Sequence, residues 1–486
     1  MNLEAFRSSI LWFSLGLVLN RTKYIILSIM VFQMGLTSVV VFYISIRLVT
    51  EIGSAINRLI GGNFNRLLRD EAILSDNERY TQTINDSLKI ALFLGSLGFF
   101  ITLLLSGLIA MLLKESQLSN SIRLFSVTIP FTVATNQILL ILSMRARFRE
   151  VVFFQYILET ILVLSLAFLT IHVWQAPLYT ILFWQVTANI FFLPLSLFFL
   201  KKSIPFWHPQ IEKPKIQFNF TFQTLYTPLS VGLINFLDLL IIGYFLGSTG
   251  LGLYIAMIVG PHLIFAVCTN MFGMFAHTIA NIKDTKRIQY ISQKVLQYIL
   301  IVATPLTLLL ILYPSQTLDK IIQIHAPVDP IVIQLLSLTF YAKIFSWMAE
   351  RILITLKFSR QNGLINIILS ITTLLLLIIV TPRFGIRGVA SILLVMAISE
   401  VLIKFFLNLR KTQISFISFQ SLKVLFLALV IYIVTKSFMF SFFNFLILFA
   451  IFYLTGIIFL KIFEKTDLEI LLRKYHPTTN NLQKDD

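Results

Sequence analysis

Charge is what this chain has least of. Only 13% of its 486 residues are charged, and acidic residues are the scarcer kind, 22 against 39 Lys and Arg. A chain that is 57% hydrophobic with so little charge has too few polar groups to cover a water-facing surface, so the bilayer must be its solvent. There is one cysteine, Cys268, inside an apolar stretch, which excludes an internal disulfide. The six His are scattered, and His262 and His277 lack metal-ligand spacing, so no metal is expected. No Gly-rich loop ends in a Lys, which excludes the usual ATP cradle, and no catalytic signature or cofactor motif stands out. Arg7 precedes an apolar run without a small-residue cleavage site, so no cleavable signal peptide is expected.

What is present is hydrophobic length. Fourteen apolar segments are expected near 6–20, 24–48, 88–113, 121–143, 151–172, 177–200, 223–246, 251–279, 289–313, 331–355, 362–381, 386–408, 419–436 and 440–462. Most reach the length needed to cross roughly 30 Å of hydrocarbon as a helix. The chain is therefore expected to be an all-α polytopic membrane protein. Basic residues favour every second loop: Arg58, Arg66, Arg69 and Arg79, then Arg145, Arg147 and Arg149, then Lys201, Lys202, Lys213 and Lys215. Lys283, Lys286 and Arg287, Lys357 and Arg360, and Arg410 and Lys411 continue the series, while Arg21 with Lys23, Lys114 and Arg383 are exceptions. Cations stay on the cytoplasmic side during insertion, so both termini are expected in the cytoplasm. The net charge of +17 then reads as topology plus attraction to anionic lipid headgroups, not as nucleic-acid binding. Asn20-Arg-Thr, Asn85-Asp-Ser and Asn219-Phe-Thr match the glycosylation triplet, but two of them fall on the cytoplasmic side of this topology.

The order of elements repeats. Ile122-Arg-Leu-Phe-Ser-Val-Thr128 and Ile333-Gln-Leu-Leu-Ser-Leu-Thr339 open the fourth and tenth segments, and Arg149 and Arg360 follow them at the same offset. The reading is a six-helix lobe over 1–200, a cytoplasmic linker over 201–222 with Pro205, Pro209 and Pro214, and a second lobe over 223–408. Residues 409–486 add two helices and a tail. Lobes with an even number of helices insert the same way up and pair about an axis along the membrane normal, as in rocking transporters.

Three stretches resemble polysaccharide flippases of the multidrug/oligosaccharidyl-lipid/polysaccharide exporter superfamily. They are Asn235-Phe-Leu-Asp-Leu-Leu-Ile-Ile-Gly-Tyr-Phe-Leu-Gly-Ser-Thr-Gly-Leu-Gly-Leu-Tyr254, Pro382-Arg-Phe-Gly-Ile-Arg-Gly-Val-Ala390 and Glu51-Ile-Gly-Ser-Ala-Ile-Asn-Arg58. The start departs from the pattern, with a short first segment followed by Asn20-Arg-Thr-Lys23. The resemblance implies a non-enzymatic transporter in the cell (inner) membrane. It would pass a polyprenyl-diphosphate-linked oligosaccharide to the outer leaflet by alternating access, in company with other polysaccharide-assembly proteins. The alternatives are a cation-coupled multidrug antiporter of the same superfamily and an integral-membrane glycosyltransferase or polymerase, the latter disfavoured by short odd-numbered loops.

Ionisable groups inside the membrane are costly, about 2.5–3.5 kcal/mol each on insertion scales, so each needs a cavity or a partner. The substrate-binding candidates are Lys343 and Arg351, two turns apart on one helix side, with Arg123 and Lys404. The ion-coupling or gating candidates are Asp238, Glu159, Glu350 and Glu400. Glu400 and Lys404 are spaced to pair along one helix face, Glu350 to neutralise Arg351, and Arg123 to snorkel at a helix end. Pro130, Pro261 and Pro305 are expected to kink their helices. Gln155, Gln185, Asn189, Asn235 and Asn270 serve either a sugar path or interhelical bonds.

Overall fold

The computed structural model describes residues 23, 26–67, 76–144, 157–204, 207–208, 222–279, 282, 284–321, 327–356, 358–438 and 441–460. Its elements, in chain order, are all helices: α1 (26–32), α2 (Leu36–Leu67), α3 (Asn77–Leu112), α4 (116–144, broken at Val127), α5 (157–173) and α6 (Leu178–Ser203). Then come α7 (222–246), α8 (248–279), α9 (Thr285–Leu312), α10 (Pro330–Thr355), α11 (359–384), α12 (386–412), α13 (Phe419–Phe438) and α14 (Phe442–Phe459). Among the described residues nine helices are long and apolar enough to cross a membrane. The span Arg360–Thr412, at 53 residues, comprises both α11 and α12. On α3, Phe93, Phe100, Leu104 and Met111 are exposed, as suits a face turned to lipid. The protein is a multi-pass membrane protein.

Glycines reverse the chain where expected. Gly247 and Gly385 have φ of 72° and 57°, a region that side chains resist. The Tyr254 hydroxyl donates to Asp238, sixteen residues earlier, which a straight helix would place about 24 Å away; α7 and α8 are therefore a hairpin. The pairs Arg387–Asp329 and Lys404–Glu350 lie at opposite ends of α10, so α10 and α12 run parallel and α11 must return between them. These reversals give the bundle two faces. The charge-poor face carries the turns at Gly35, 113–115, 174–177, Gly247, 313–329 and Gly385; the basic face carries the alternate connections.

Two helix starts on the basic face are built alike. Asp76 accepts from the backbone N–H groups of Glu78 and Arg79, and Asp284, 208 residues later, accepts from that of Lys286. Both are side-chain caps that satisfy otherwise orphaned donors. Helices α2 and α8 have the same length and begin 212 residues apart. Many polar side chains in the helices bond back to their own backbone: Thr102 donates to the Gly98 carbonyl and Thr381 to that of Leu377.

Three expectations for the N-terminal part fail. Segment 24–48, expected as one helix, is interrupted at Gln33–Gly35, where Gly35 has φ of 101°. The apolar run continues through this turn, so hydropathy alone hides it. Residues 6–20 lie outside the described residues. Lys23, taken as a loop cation, is helical, fully buried and paired with Glu159 of α5. Helix α3 also begins earlier than the segment 88–113.

Residues 207–208 are tied to α3. The Asn85 side chain on α3 donates to the His208 carbonyl at 2.9 Å and accepts from the Trp207 indole N–H at 3.0 Å. Both Asn85 and Trp207 are buried, so the glycosylation triplet at Asn85 is used in packing. At the other end of the chain, α13 packs on α9 and α14 on α13, and the Tyr453 hydroxyl donates to the Ile301 carbonyl.

Helix α2 packs along the α7–α8 hairpin. A Cβ at Gly252 would sit 3.1 Å from Leu36 Cβ and 3.3 Å from the Leu36 carbonyl oxygen. Near the charge-poor face the two helices therefore touch almost backbone to backbone.

Candidate functional site

Helix α2 is largely buried, yet one stripe of it is not. Tyr43, Arg47, Thr50, Glu51, Ser54 and Arg58 are partly or fully exposed, while Val41, Phe42, Ile44, Ser45, Ile56 and Leu59 are buried. The spacing of three, four and seven marks one helix face. Helix α10 presents a matching stripe, Lys343, Trp347, Glu350, Arg351 and Ile354, between buried Ile344, Met348 and Ile352.

Cations on these stripes lie at two depths. With a rise of 1.5 Å per residue, Arg47 and Lys343 lie about 16 and 20 Å from the charge-poor ends of their helices, and Arg58 and Arg351 about 33 and 32 Å. The electrostatics agree with this layering. Asp238 of α7 is influenced by both Arg47 and Lys343, and Arg58 by both Glu350 and Arg351. Glu51 lies between the layers, 3.2 Å from Arg47 and 4.0 Å from Arg58.

Each sequence candidate has a definite place. Asp238 accepts from the Leu239 backbone N–H at 2.8 Å and from the Tyr254 hydroxyl at 3.1 Å. Lys404 of α12 is buried between two carboxylates, Glu350 of α10 at 2.7 Å and Glu400 at 2.6 Å, and Glu400 also accepts from Ser346 at 2.5 Å. Glu400 and Lys404 thus pair at the i, i+4 spacing. Glu350 turns to Lys404, not to its chain neighbour Arg351, because successive residues on a helix point about 100° apart. Lys343 and Arg351 form no ion pair among the described residues, and Arg351 is exposed.

Glu159 and Arg123 stand apart from this group. Glu159 is buried with Lys23, and the Arg123 Nε donates to Ser106 of α3 at 3.1 Å from an exposed position. Gln185 is wholly buried, with neither side-chain amide atom partnered among the described residues. Asn189 donates to the Gln185 carbonyl. Gln155 and the side chains of Asn235, Asn270 and His277 lie outside the described residues.

Three parts of the site escaped sequence reasoning. Arg47 sits in an apolar run that conceals it, although Arg47-x-x-x-Glu51 has ion-pair spacing. Tyr43 shares a 3.3 Å hydrogen bond with His262 Nδ1, joining α2 to α8. An aromatic cluster also lies between α8 and α10, where Trp347 packs on Phe265 with ring centroids 4.5 Å apart and His262 on Phe340 at 4.8 Å. Counting Arg47, Arg58, Lys343, Arg351 and Lys404 against Glu51, Asp238, Glu350 and Glu400, the group has one cation in excess.

Solved structures share this architecture. An inward-facing multidrug resistance MATE family transporter of the MOP superfamily is 13% identical with a TM-score of 0.61, over 81% of this chain and 94% of that one. The lipid II flippase MurJ in an inward closed conformation is 17% identical with a TM-score of 0.59, over 96% of this chain and 98% of that one. A MOP superfamily transporter from Pyrococcus furiosus is 11% identical with a TM-score of 0.59, over 83% of this chain and 95% of that one. At these identities the likeness shows the fold. No curated protein matches the sequence. A family model described as polysaccharide biosynthesis protein matches residues 69–323, more than half of the chain. The match takes in the linker and the Asp238 hairpin, and on it the chain belongs to the polysaccharide biosynthesis protein family.

Proposed function

We propose that this protein is a flippase for polyprenyl-diphosphate-linked oligosaccharide, moving its headgroup from the cytoplasmic to the outer leaflet by alternating access. The observation that carries the reading is the pair of cationic layers on the facing stripes of α2 and α10. A diphosphate–sugar headgroup is charged and heavily hydrated, and it crosses hydrocarbon only if opposing charge and polar groups replace its water. Arg58 and Arg351 would meet the diphosphate near the basic face, and Arg47 and Lys343 deeper in. Lys404 is already committed to Glu350 and Glu400, Arg123 to Ser106, and Arg47 and Arg58 share Glu51, which leaves Lys343 and Arg351 as the main substrate contacts. Asp238, between Arg47 and Lys343, is the site for gating or cation coupling. The basic face is cytoplasmic by the charge bias, so both termini are cytoplasmic. The lobes 1–200 and 223–408 rock about the central site while 409–486 stays peripheral. The membrane potential itself favours outward movement of an anion. The protein acts as a carrier and not an enzyme: no bond of the substrate need break for the headgroup to change leaflets.

MurJ, a lipid II flippase by its description, shares the fold over nearly the whole chain and lends support. The multidrug antiporter remains the rival, since MATE transporters share the fold too. Cationic drugs are poorly suited to a group with cations in excess.

Reconstitution separates the two. Proteoliposomes should move a fluorescent polyprenyl-diphosphate oligosaccharide between leaflets and should not extrude ethidium along an imposed proton or sodium gradient. Ethidium efflux without lipid movement overturns the reading. The topology is checked independently with reporter fusions: those after Arg149, Lys215 and Arg287 should report cytoplasm, and those after Trp174 and Ser248 the outside. A cytoplasmic signal at Ser248 would invert the charge-poor face.

A further inference from the structure

We propose that Trp347 is the stacking platform for a sugar ring of the substrate, a subsite distinct from the groups that hold the diphosphate; this rests on the flippase reading above. The position follows from helix geometry. Trp347 is four residues from Lys343 and four from Arg351, so the three share one face of α10, each about 6 Å from the next along the axis. Ser346 and Met348 on either side of it are fully buried, whereas Trp347 is partly exposed. A headgroup held at Arg351 therefore has its next unit opposite the indole, one helical turn deeper and on the scale of one sugar ring.

The indole is held in place. Phe265 and Phe272, both from α8, pack on it edgewise with centroids at 4.5 and 6.0 Å and interplanar angles of 61° and 77°. Such edge contacts fix the two side-chain torsions before any ligand arrives, which lowers the entropic cost of binding. Tryptophan in a packed setting normally satisfies its N–H, yet among the described residues this one donates to nothing. A partly exposed indole whose N–H no described residue accepts matches a pyranose, which offers an apolar C–H face and a rim of hydroxyl acceptors. The ligand class is a sugar with an uninterrupted C–H face, placed first or second after the diphosphate.

The test compares two lipids on the purified full-length protein in nanodiscs: undecaprenyl diphosphate, and the same lipid carrying a disaccharide. Wild type should bind the disaccharide lipid more tightly than the bare one. Trp347→Leu keeps apolar bulk without the ring, and should weaken binding of the disaccharide lipid about tenfold. Its binding of undecaprenyl diphosphate should be unchanged, which also reports that the variant is folded. Trp347→Phe should recover most of the loss. Lys343→Ala with Arg351→Ala should weaken both lipids. If Trp347→Leu weakens both lipids equally, or neither, the platform is overturned while the anion site stands. If the wild type binds neither lipid, or the double variant binds both as wild type does, the flippase reading fails and the platform with it.

Discussion

Lys343→Ala combined with Arg351→Ala is expected to reduce export of surface polysaccharide by at least about a hundredfold, with near-normal amounts of protein in the membrane. Each hydrogen bond to a charged group is worth about 1.5–3 kcal/mol, so losing two of them costs about 3–6 kcal/mol. That range corresponds to about two to four powers of ten in affinity. Folding should survive because neither residue satisfies a buried carboxylate. Glu350 is bound to Lys404, and Asp238 keeps the Leu239 N–H and the Tyr254 hydroxyl. Arg351→Lys should retain more export than Arg351→Glu, since a cation at that depth matters more than its hydrogen-bond pattern. The measurement is surface polysaccharide per unit of inserted protein. Wild-type export by the double variant would remove the anion-binding assignment and leave the function resting on family membership.

Lys404→Met should act in the opposite manner, on stability first. The lysine is fully buried and bridges carboxylates on two helices, with Ser346 completing the cluster. Removing it leaves two negative groups facing each other at a packed helix contact. Breaking a buried ion pair from one side costs about 3–5 kcal/mol. Both carboxylates keep some exposure, so the lower end of that range is expected. The purified variant should show a markedly lower midpoint of thermal unfolding in detergent. Neutralising the whole cluster, Glu350→Gln and Glu400→Gln with Lys404→Met, should restore most of the loss, because no charge is then stranded. A single variant as stable as wild type would show that Lys404 is free for substrate.

These two outcomes also mark where the sequence was informative. Membrane spans follow from apolar length, and the reversals at Gly247 and Gly385 from glycine in a Leu-Gly or Phe-Gly context between two long runs. The turn at Gln33–Gly35 was hidden because Val31, Phe32, Met34 and Leu36 keep the hydropathy high on both sides of it. Lys23 resembled a loop cation because its partner Glu159 is 136 residues away. Side-chain choice within the site was the hardest part. Glu350 has one cation beside it in the chain, Arg351, and another, Lys404, on a neighbouring helix, and only the packing of α10 against α12 decides between them. Arg47 was concealed by its own surroundings: a stripe of polar residues on a helix that is otherwise core is diluted below notice by the apolar residues between them.

The close meeting of Gly252 with Leu36 bears on something other than transport. A protein with a charged, water-accepting interior is a hazard to the cell whenever it conducts, since protons and small ions would follow any continuous thread of water. The Gly252–Leu36 contact is made of backbone and a missing side chain, at van der Waals distance. A seam of this kind seals only while two surfaces stay flush, and it holds no charge to repel an ion once they part. Enlarging Gly252 even to Ala would wedge the surfaces by a few tenths of an ångström. The first symptom of such a change would be a dissipated ion gradient and poor growth, appearing while the substrate still binds and moves.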